Sequence, residues 1–417
     1  MKLFSSLDRF IAIKDQIIPK GAKIGLFTNQ CSYSFQYKKY SYELIEPNTI
    51  FLLEHGFFSE LQDQISIQNI ENYKRWYSAN WISLYGEEFT SLFPKKKNLE
   101  NLDWIIIDIQ DVGSRYYTFL TSVYYLLNVI YKENLDCNLI ILDRPNPLIR
   151  KYSKRIFEGS PLQKKYQSFV GVEGVLHKHG LTPAELICYS IDRNMNHDSK
   201  NEVWIVPFSP RVAIQKKYPK EFILSETKSS NLVLYNAFEI YPSPNMPSYK
   251  TAKVYTGQCL LEGTNLSEGR GTTKPFEIFG APYLSKEILT KISTLSILDQ
   301  LGVILRELKF IPTSNKYQNQ ICMGWQMHII DERKYHSLLT TLFILKNIKQ
   351  LSNELDWYRG VYEFKSEFLA IEYLLGDEFL FDYLNKNKIS FDDLYQYLYK
   401  QQNLWKNNIK KYFLYYD

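Results

Sequence analysis

No stretch of this 417-residue chain approaches the roughly 20 consecutive apolar residues that a membrane-spanning helix requires, so a membrane partner is not expected. Cysteine is scarce: Cys31, Cys137, Cys188, Cys259 and Cys322 are odd in number, scattered, and form no close pair. That spacing argues against both a disulfide framework and a zinc site. Histidine is as sparse, six residues in all, and His177-Lys178-His179 holds the only close pair, a poor ligand set by itself. No metal and no cofactor are therefore expected. Charge of a single sign is also missing: the net charge of +5 is dispersed, and its one short run, Lys95-Lys96-Lys97, reads as a solvated loop rather than a nucleic-acid patch. The N-terminus, Met1 to Arg9, meets charge too early to hold the apolar segment of a secretory signal, so a cytoplasmic location is expected.

Several catalytic signatures are absent too. Neither the Gly-x-Gly-x-x-Gly turn nor the Walker lysine loop occurs, which ranks nucleotide binding low. There is no Gly-x-Ser-x-Gly elbow and no helical His-Glu-x-x-His.

What is present is a globular composition, 45% apolar and 23% charged, in a chain long enough for two domains. Continuous β-rich runs fall at Ala22–Thr28, Thr49–Leu53, Trp104–Asp108, Leu139–Leu142 and Val203–Val206, as expected of strands buried on both faces of a parallel sheet. Helical candidates lie between them, notably Thr118–Lys132 and a segment opening at Thr182-Pro183-Ala184-Glu185, where Thr182 and Glu185 can form a reciprocal cap. A further helix is expected from about Phe391 to Asn408. The alternation predicts a doubly wound α/β domain. The proline-rich stretch Tyr241–Ser248 can be neither helix nor central strand, which puts the expected domain boundary there: 1–240 and 241–417.

In open α/β sheets, ligands bind outside the carboxyl ends of the strands. Asn29 follows the first run, Glu54-His55-Gly56 the second, Asp108-Ile109-Gln110-Asp111 the third and Asp143-Arg144 the fourth. Glu54 sits directly after Ile50–Leu53, an apolar wall expected to raise its pKa toward that of a proton donor. The competing reading is that Glu54 caps a turn while His55 satisfies buried carbonyls. Around Gly113, two carboxylates, an amide, Arg115, Tyr116 and Tyr117 crowd together; Arg115 is either a carboxylate-binding fork or a brace for the turn. Further on, Glu262–Glu277 interleaves glycines with hydroxyl, amide, carboxylate and guanidinium groups, as a ligand-gripping loop does. Loop carboxylates with Arg, Asn, Thr and Tyr suit glycosidic cleavage, and equally a magnesium-dependent phosphoryl site.

In order, the motifs Gly25-Leu26-Phe27-Thr28-Asn29, Glu54-His55-Gly56, Ser83-Leu84-Tyr85-Gly86, Asp108–Thr118, Leu142–Pro147, Glu158-Gly159, His179–Thr182, Pro242–Pro247 and Leu261–Thr273, continuing to Gly280-Ala281-Pro282, form a recognisable series. It resembles the NamZ-type exo-β-N-acetylmuramidases from about residue 21 to 330, with weaker similarity beyond. The resemblance implies a Rossmann-like N-terminal domain with a mostly parallel sheet, a smaller α/β C-terminal domain, and an active-site cleft between them. It implies removal of N-acetylmuramic acid from the non-reducing ends of peptidoglycan fragments, with Glu54 as general acid/base. The second catalytic group is left among Asp108, Asp111, Glu262 and Glu268. Arg115 and Arg270 become candidates for the lactyl carboxylate and Asn245 for the acetamido group. Asn29, His55, Gln110, Tyr116, Arg144, Asn265 and Thr272, all within the matching motifs, complete the expected substrate-binding set.

The chain departs from the family pattern at Leu53, usually Pro, and at Phe58, usually Arg. Cys31-Ser32 replaces a common Thr-Gly, and the expected Trp-x-Arg appears only as Ser209-Pro210-Arg211. Two alternatives accompany the muramidase expectation: a metal-dependent phosphoesterase using Asp108 and Asp111, and a non-catalytic muropeptide-binding protein.

Overall fold

The computed structural model describes residues 2–62, 64–68, 70–149, 155–194, 201–209, 212–218, 222–224, 232–234 and 239–415; Pro210 and Arg211 of the altered motif lie outside them. Its centre is an eight-stranded sheet built from β1 (Ile24–Thr28), β2 (Thr49–Leu52), β3 (Asn80–Ser83), β4 (Trp104–Asp108), β5 (Asn138–Leu142), β6 (Val203–Val206), β7 (Ile214–Tyr218) and β8 (Phe222–Leu224). The order across the sheet is 8-7-6-5-4-1-2-3. Strands β1 to β6 run parallel, and β7 and β8 add antiparallel to the edge at β6. Within the parallel part, 3-2-1-4-5-6 is the Rossmann order, with its switch point between β1 and β4.

The absence of polar alternation in these strands has a direct cause. Odd-numbered Ile105 and Ile107 of β4 belong to one apolar cluster, under helix α2 (Phe119–Lys132); even-numbered Trp104 and Ile106 belong to another, which holds Leu7 and Phe10 of α1 (Ser6–Ile17). Each strand position thus meets a hydrophobic layer on whichever face it points to. The expected reciprocal cap at helix α3 (Pro183–Asn194) forms: the Thr182 amide donates to Glu185 Oε2 at 2.9 Å, and the Glu185 amide to Thr182 Oγ1 at 3.4 Å.

The rest of the chain is α/β of a different kind. Strands β9 (Ile278–Ala281), β10 (Val303–Phe310) and β11 (Cys322–Ile329) form an antiparallel sheet in the order 9-11-10. Helix α4 (Tyr249–Gln258) packs against α5 (Ser337–Leu351), and the last helix, α6 (Phe391–Ile409), returns to the first half, where Trp405 donates its indole N–H to the carbonyl of His179 at 2.9 Å. Among the described residues no helix is long and apolar enough to cross a membrane.

Candidate functional site

Just beyond β2 the backbone enters the left-handed region at two successive residues, His55 (φ 73°) and Gly56 (φ 80°). Glycine accepts this at little cost, and here it is required: a Cβ on Gly56 would lie 2.5 Å from the Tyr73 hydroxyl. His55, with a full side chain, is strained, and such outliers cluster at functional sites. The turn is fixed by a hydrogen bond from His55 Nδ1–H to the Leu61 carbonyl at 3.1 Å. The turn delivers Glu54, 4% exposed, to a pocket, where its Oε2 accepts the hydroxyl of Thr118 at 2.6 Å. Thr118 is the N-cap residue of α2 yet makes no side-chain cap to its own helix.

The free space in and at the mouth of this pocket, open solvent included, is about 470 Å³. Glu54, His55, Tyr116, Tyr117 and Thr118 line it from the first half of the chain, and Asn245, Tyr255, Glu262, Arg270, Tyr362 and Glu363 from the second. Glu262 stands on a short 3-10 turn (Cys259–Gly263) that extends α4. Its Oε1 accepts from Arg270 Nη2 and its Oε2 from the Tyr362 hydroxyl, both at 2.6 Å. Arg270 Nε also donates to Glu268 Oε1 at 3.0 Å. Burial pushes the Glu268 carboxyl up, but Lys316, 3.0 Å from its Oε2, and Arg270 more than offset this and hold it below the usual carboxylate range. Lys316 Nζ additionally donates to the carbonyls of Leu261 and Leu266, so one ammonium fixes the loop's shape. Asn245 donates to Gln62 Oε1 at 2.9 Å.

Of the residues singled out from sequence, Glu54, His55, Tyr116, Asn245, Glu262 and Arg270 meet in this pocket. Others are placed elsewhere. Asp108 is fully buried, bound by Arg144 Nε at 2.6 Å and by the hydroxyl of Ser32. Strand parity explains it: Asp108 follows Trp104 and Ile106 onto the α1 side of the sheet. Asp108 and Arg144 form a buried pair on that side of the sheet and are not among the residues lining the Glu54 pocket. Asp111 turns back on its own loop, its Oδ2 accepting from the Gly113 amide at 2.6 Å and lying 3.3 Å from His179 Nε2.

Arg115 also departs from its expected role. Its guanidinium donates to four carbonyls, Ser160 (3.0 Å), Val175 (3.1 Å), Leu374 (2.9 Å) and Leu375 (2.8 Å), the last two at the carboxyl end of the helix Ala370–Leu375. Burial lowers its pKa to about 10. In this arrangement it braces the first half against the last and does not line the Glu54 pocket.

Gln110 donates to the carbonyls of Asp111 and Pro145, and Asn29 accepts from the Cys31 amide, each organising its own loop. Asn265 is taken up by Tyr283, Glu354 and Asp356, and Thr272 by the Gly269 carbonyl. Glu268 stands behind Arg270 rather than in the pocket wall. Asp108 and Asp111 share no site, and among the described residues no group of three or more His, Cys, Asp or Glu is placed to hold a metal ion.

Sequence reasoning missed Tyr117, Tyr255, Tyr362 and Glu363 as members of the site. Tyr117 was within reach, since it belongs to the dense motif after β4. Glu363 had no local signal: it stands in a tight turn without glycine, asparagine or proline.

A Rossmann-ordered sheet with a pocket of carboxylates, phenols, an amide and a guanidinium beyond its switch-point edge defines an α/β protein with a polar pocket where such sheets bind ligands. Residues 24–250 match the N-terminal domain, and residues 253–415 the C-terminal domain, of the exo-β-N-acetylmuramidase NamZ family, and the chain belongs to that family. It is 33% identical over 345 residues to the peptidoglycan β-N-acetylmuramidase NamZ of Bacillus subtilis (strain 168), covering 80% of this chain and 75% of that protein. Two crystal structures of DUF1343 family proteins from Bacteroides fragilis share the fold. One has a TM-score of 0.75 at 20% identity over 99% of both chains, the other 0.68 at 23% identity over 100% of both.

Proposed function

We propose that this chain is a glycosidase that releases N-acetylmuramic acid from the non-reducing ends of peptidoglycan fragments. The observation that carries the reading is the meeting, in one pocket, of Glu54 from the end of β2 with the Glu262–Arg270 pair from the loop after α4. Glycoside hydrolysis needs one carboxyl group to protonate the leaving oxygen and a second to act on the other side of the sugar ring. In this reading Glu54 gives the proton. It accepts a single short hydrogen bond from Thr118 and faces the pocket from the first half of the chain. Glu262 is the second carboxylate, oriented by Arg270 and Tyr362. Arg270 meets the lactyl carboxylate, which suits a planar guanidinium, and Asn245 the acetamido group. The division into residues 1–240 and 241–417, with the substrate in the cleft between them, belongs to the same proposal, as does cytoplasmic action on recovered wall fragments.

The test is hydrolysis of a chromogenic β-N-acetylmuraminide. Wild type is expected to turn it over, and Glu54→Gln, which keeps the Thr118 hydrogen bond but loses the transferable proton, to fall by about 100-fold or more. Tight binding of muropeptides by wild type without turnover would instead support a non-catalytic binding protein.

A further inference from the structure

The pocket contains a third carboxylate, Glu363, that the scheme above does not use, and the backbone is strained to present it. Tyr362 and Lys365 are paired across a two-residue turn, amide to carbonyl in both directions at 2.8 and 3.0 Å. The two residues inside the turn, Glu363 (φ 45°) and Phe364 (φ 65°), both lie in the left-handed region. Turns with that φ signature strongly favour Asn-Gly or Asp-Gly, and a glutamate followed by a phenylalanine is costly there. Phe364 has a packing reason: its ring meets Tyr85 at 5.6 Å and Phe89 at 6.5 Å, pinning the turn to the first half. Glu363 is only 5% exposed, its carboxylate accepts the Tyr85 hydroxyl at 3.2 Å, and it lines the pocket together with Tyr362. A buried acid at a strained position in a pocket wall calls for a ligand contact.

Resting on the muramidase reading, we infer that Glu363 accepts hydrogen bonds from the 4- and 6-hydroxyl groups of the bound sugar and so sets the exo specificity. A muramyl ring brings five groups to the pocket. The anomeric centre is assigned to Glu54 and Glu262, the acetamido group to Asn245 and the lactyl group to Arg270. The 4- and 6-hydroxyls remain, and Glu363 is the carboxylate of the pocket wall not otherwise assigned. Two adjacent hydroxyl donors suit an acceptor-only carboxylate. A sugar linked through O4 to a longer chain loses one of those donors and puts a substituent against Glu363, so only a terminal residue fits.

The experiment compares a chromogenic β-N-acetylmuraminide with its 4-deoxy and 6-deoxy analogues, on wild type, Glu363→Gln and Tyr85→Phe. In wild type, removal of either hydroxyl is expected to reduce kcat/KM by roughly 10-fold, chiefly through KM. Glu363→Gln is expected to show the same loss on the full substrate and little further loss on the analogues, while Tyr85→Phe, which keeps the carboxylate, stays within about threefold of wild type. Glu363→Asn, better suited to the left-handed region, is expected to raise Tm while lowering kcat/KM; a purely structural residue would not separate the two. Full and additive deoxy losses in Glu363→Gln, or a Tyr85→Phe variant as impaired as Glu363→Gln, would overturn the assignment. No turnover by wild type would instead sink the muramidase reading itself.

Discussion

Glu54 and Asp108 stand at comparable places on either side of β1, one just past β2 and the other at the last residue of β4. Both are nearly or wholly inaccessible, and both are carboxylates at the edge where α/β sheets bind ligands. Their surroundings differ completely. Asp108 keeps the strand's alternation, points toward α1, and is neutralised by Arg144. Glu54 lies past the last strand residue, where the left-handed His55-Gly56 turn has released it from that alternation, and it accepts a single hydroxyl within a pocket. Position at a strand end nominates a residue, but the face it points to and the partner it finds there decide its role.

The sharpest way to break this comparison is to neutralise each acid in turn. Asp108→Asn removes the carboxylate held 2.6 Å from the buried Arg144 Nε, and breaking such a pair costs about 3–5 kcal/mol. Thermal unfolding should show a large fall in Tm, with turnover per folded molecule little changed. Glu54→Gln should do the reverse, keeping Tm within a few degrees while losing the about 100-fold in turnover expected above. A normally folded but inactive Asp108→Asn would show that the carboxylate beneath the sheet, and not the one beyond β2, serves the chemistry.

The same contrast separates the two arginines. Arg115→Met removes donors from four carbonyls, including two at a helix end. The Ser160 and Val175 carbonyls keep His177 and Leu162 as partners, so the cost falls mainly on the helix-end acceptors, at about 1 kcal/mol or more for each one left unpaired; the loss should appear in the unfolding curve, with KM for a muraminide unchanged. Arg270→Met should raise KM by about 10-fold or more, the worth of one charge-assisted hydrogen bond, and should lower Tm as well, because Glu262 and Glu268 lose their guanidinium partner. A raised KM at unchanged Tm in Arg115→Met would restore that residue as the substrate's partner.

Much of this was legible in the chain. The five β-rich runs became β1, β2, β4, β5 and β6 because unbroken apolar character is a local signature of strands covered on both faces. Strand β3 was not read, because its run Asn80-Trp81-Ile82-Ser83 at the end of the parallel series is short and polar at both ends. In the site, the turn at Gly56 was readable because glycine marks left-handed backbone. The fate of Asp108 and Arg115 was not, since it depends on contacts with Arg144 and with residues 160, 175, 374 and 375, far off in sequence. Glu363 escaped for the same reason, made worse by a turn that lacks the residues by which such turns are recognised.

Asp143 extends the comparison to a third strand end and carries the smallest expected effect. It follows β5, accepts the Ala184 amide at the start of α3 at 2.8 Å and the Tyr415 hydroxyl at 2.7 Å, and lies outside the pocket. Burial pushes its carboxyl up to about 7, with Glu185 adding to the shift and the hydrogen bonds from Ala184 and Tyr415 opposing it. An unfolded aspartate titrates near about 4. Between about 4 and about 7 the folded state therefore binds more protons than the unfolded chain, so stability falls as pH rises through that window. The contribution is fully present below the unfolded value and gone above the folded one. Asp143→Asn cannot ionise and should lack this term. Measured by thermal unfolding at about pH 5 and about pH 8, the fall in Tm should be shallower in the variant than in wild type by about 2 °C or more. Parallel Tm profiles would mean that Asp143 titrates alike in the folded and unfolded chain, and would remove burial as the cause of the shift.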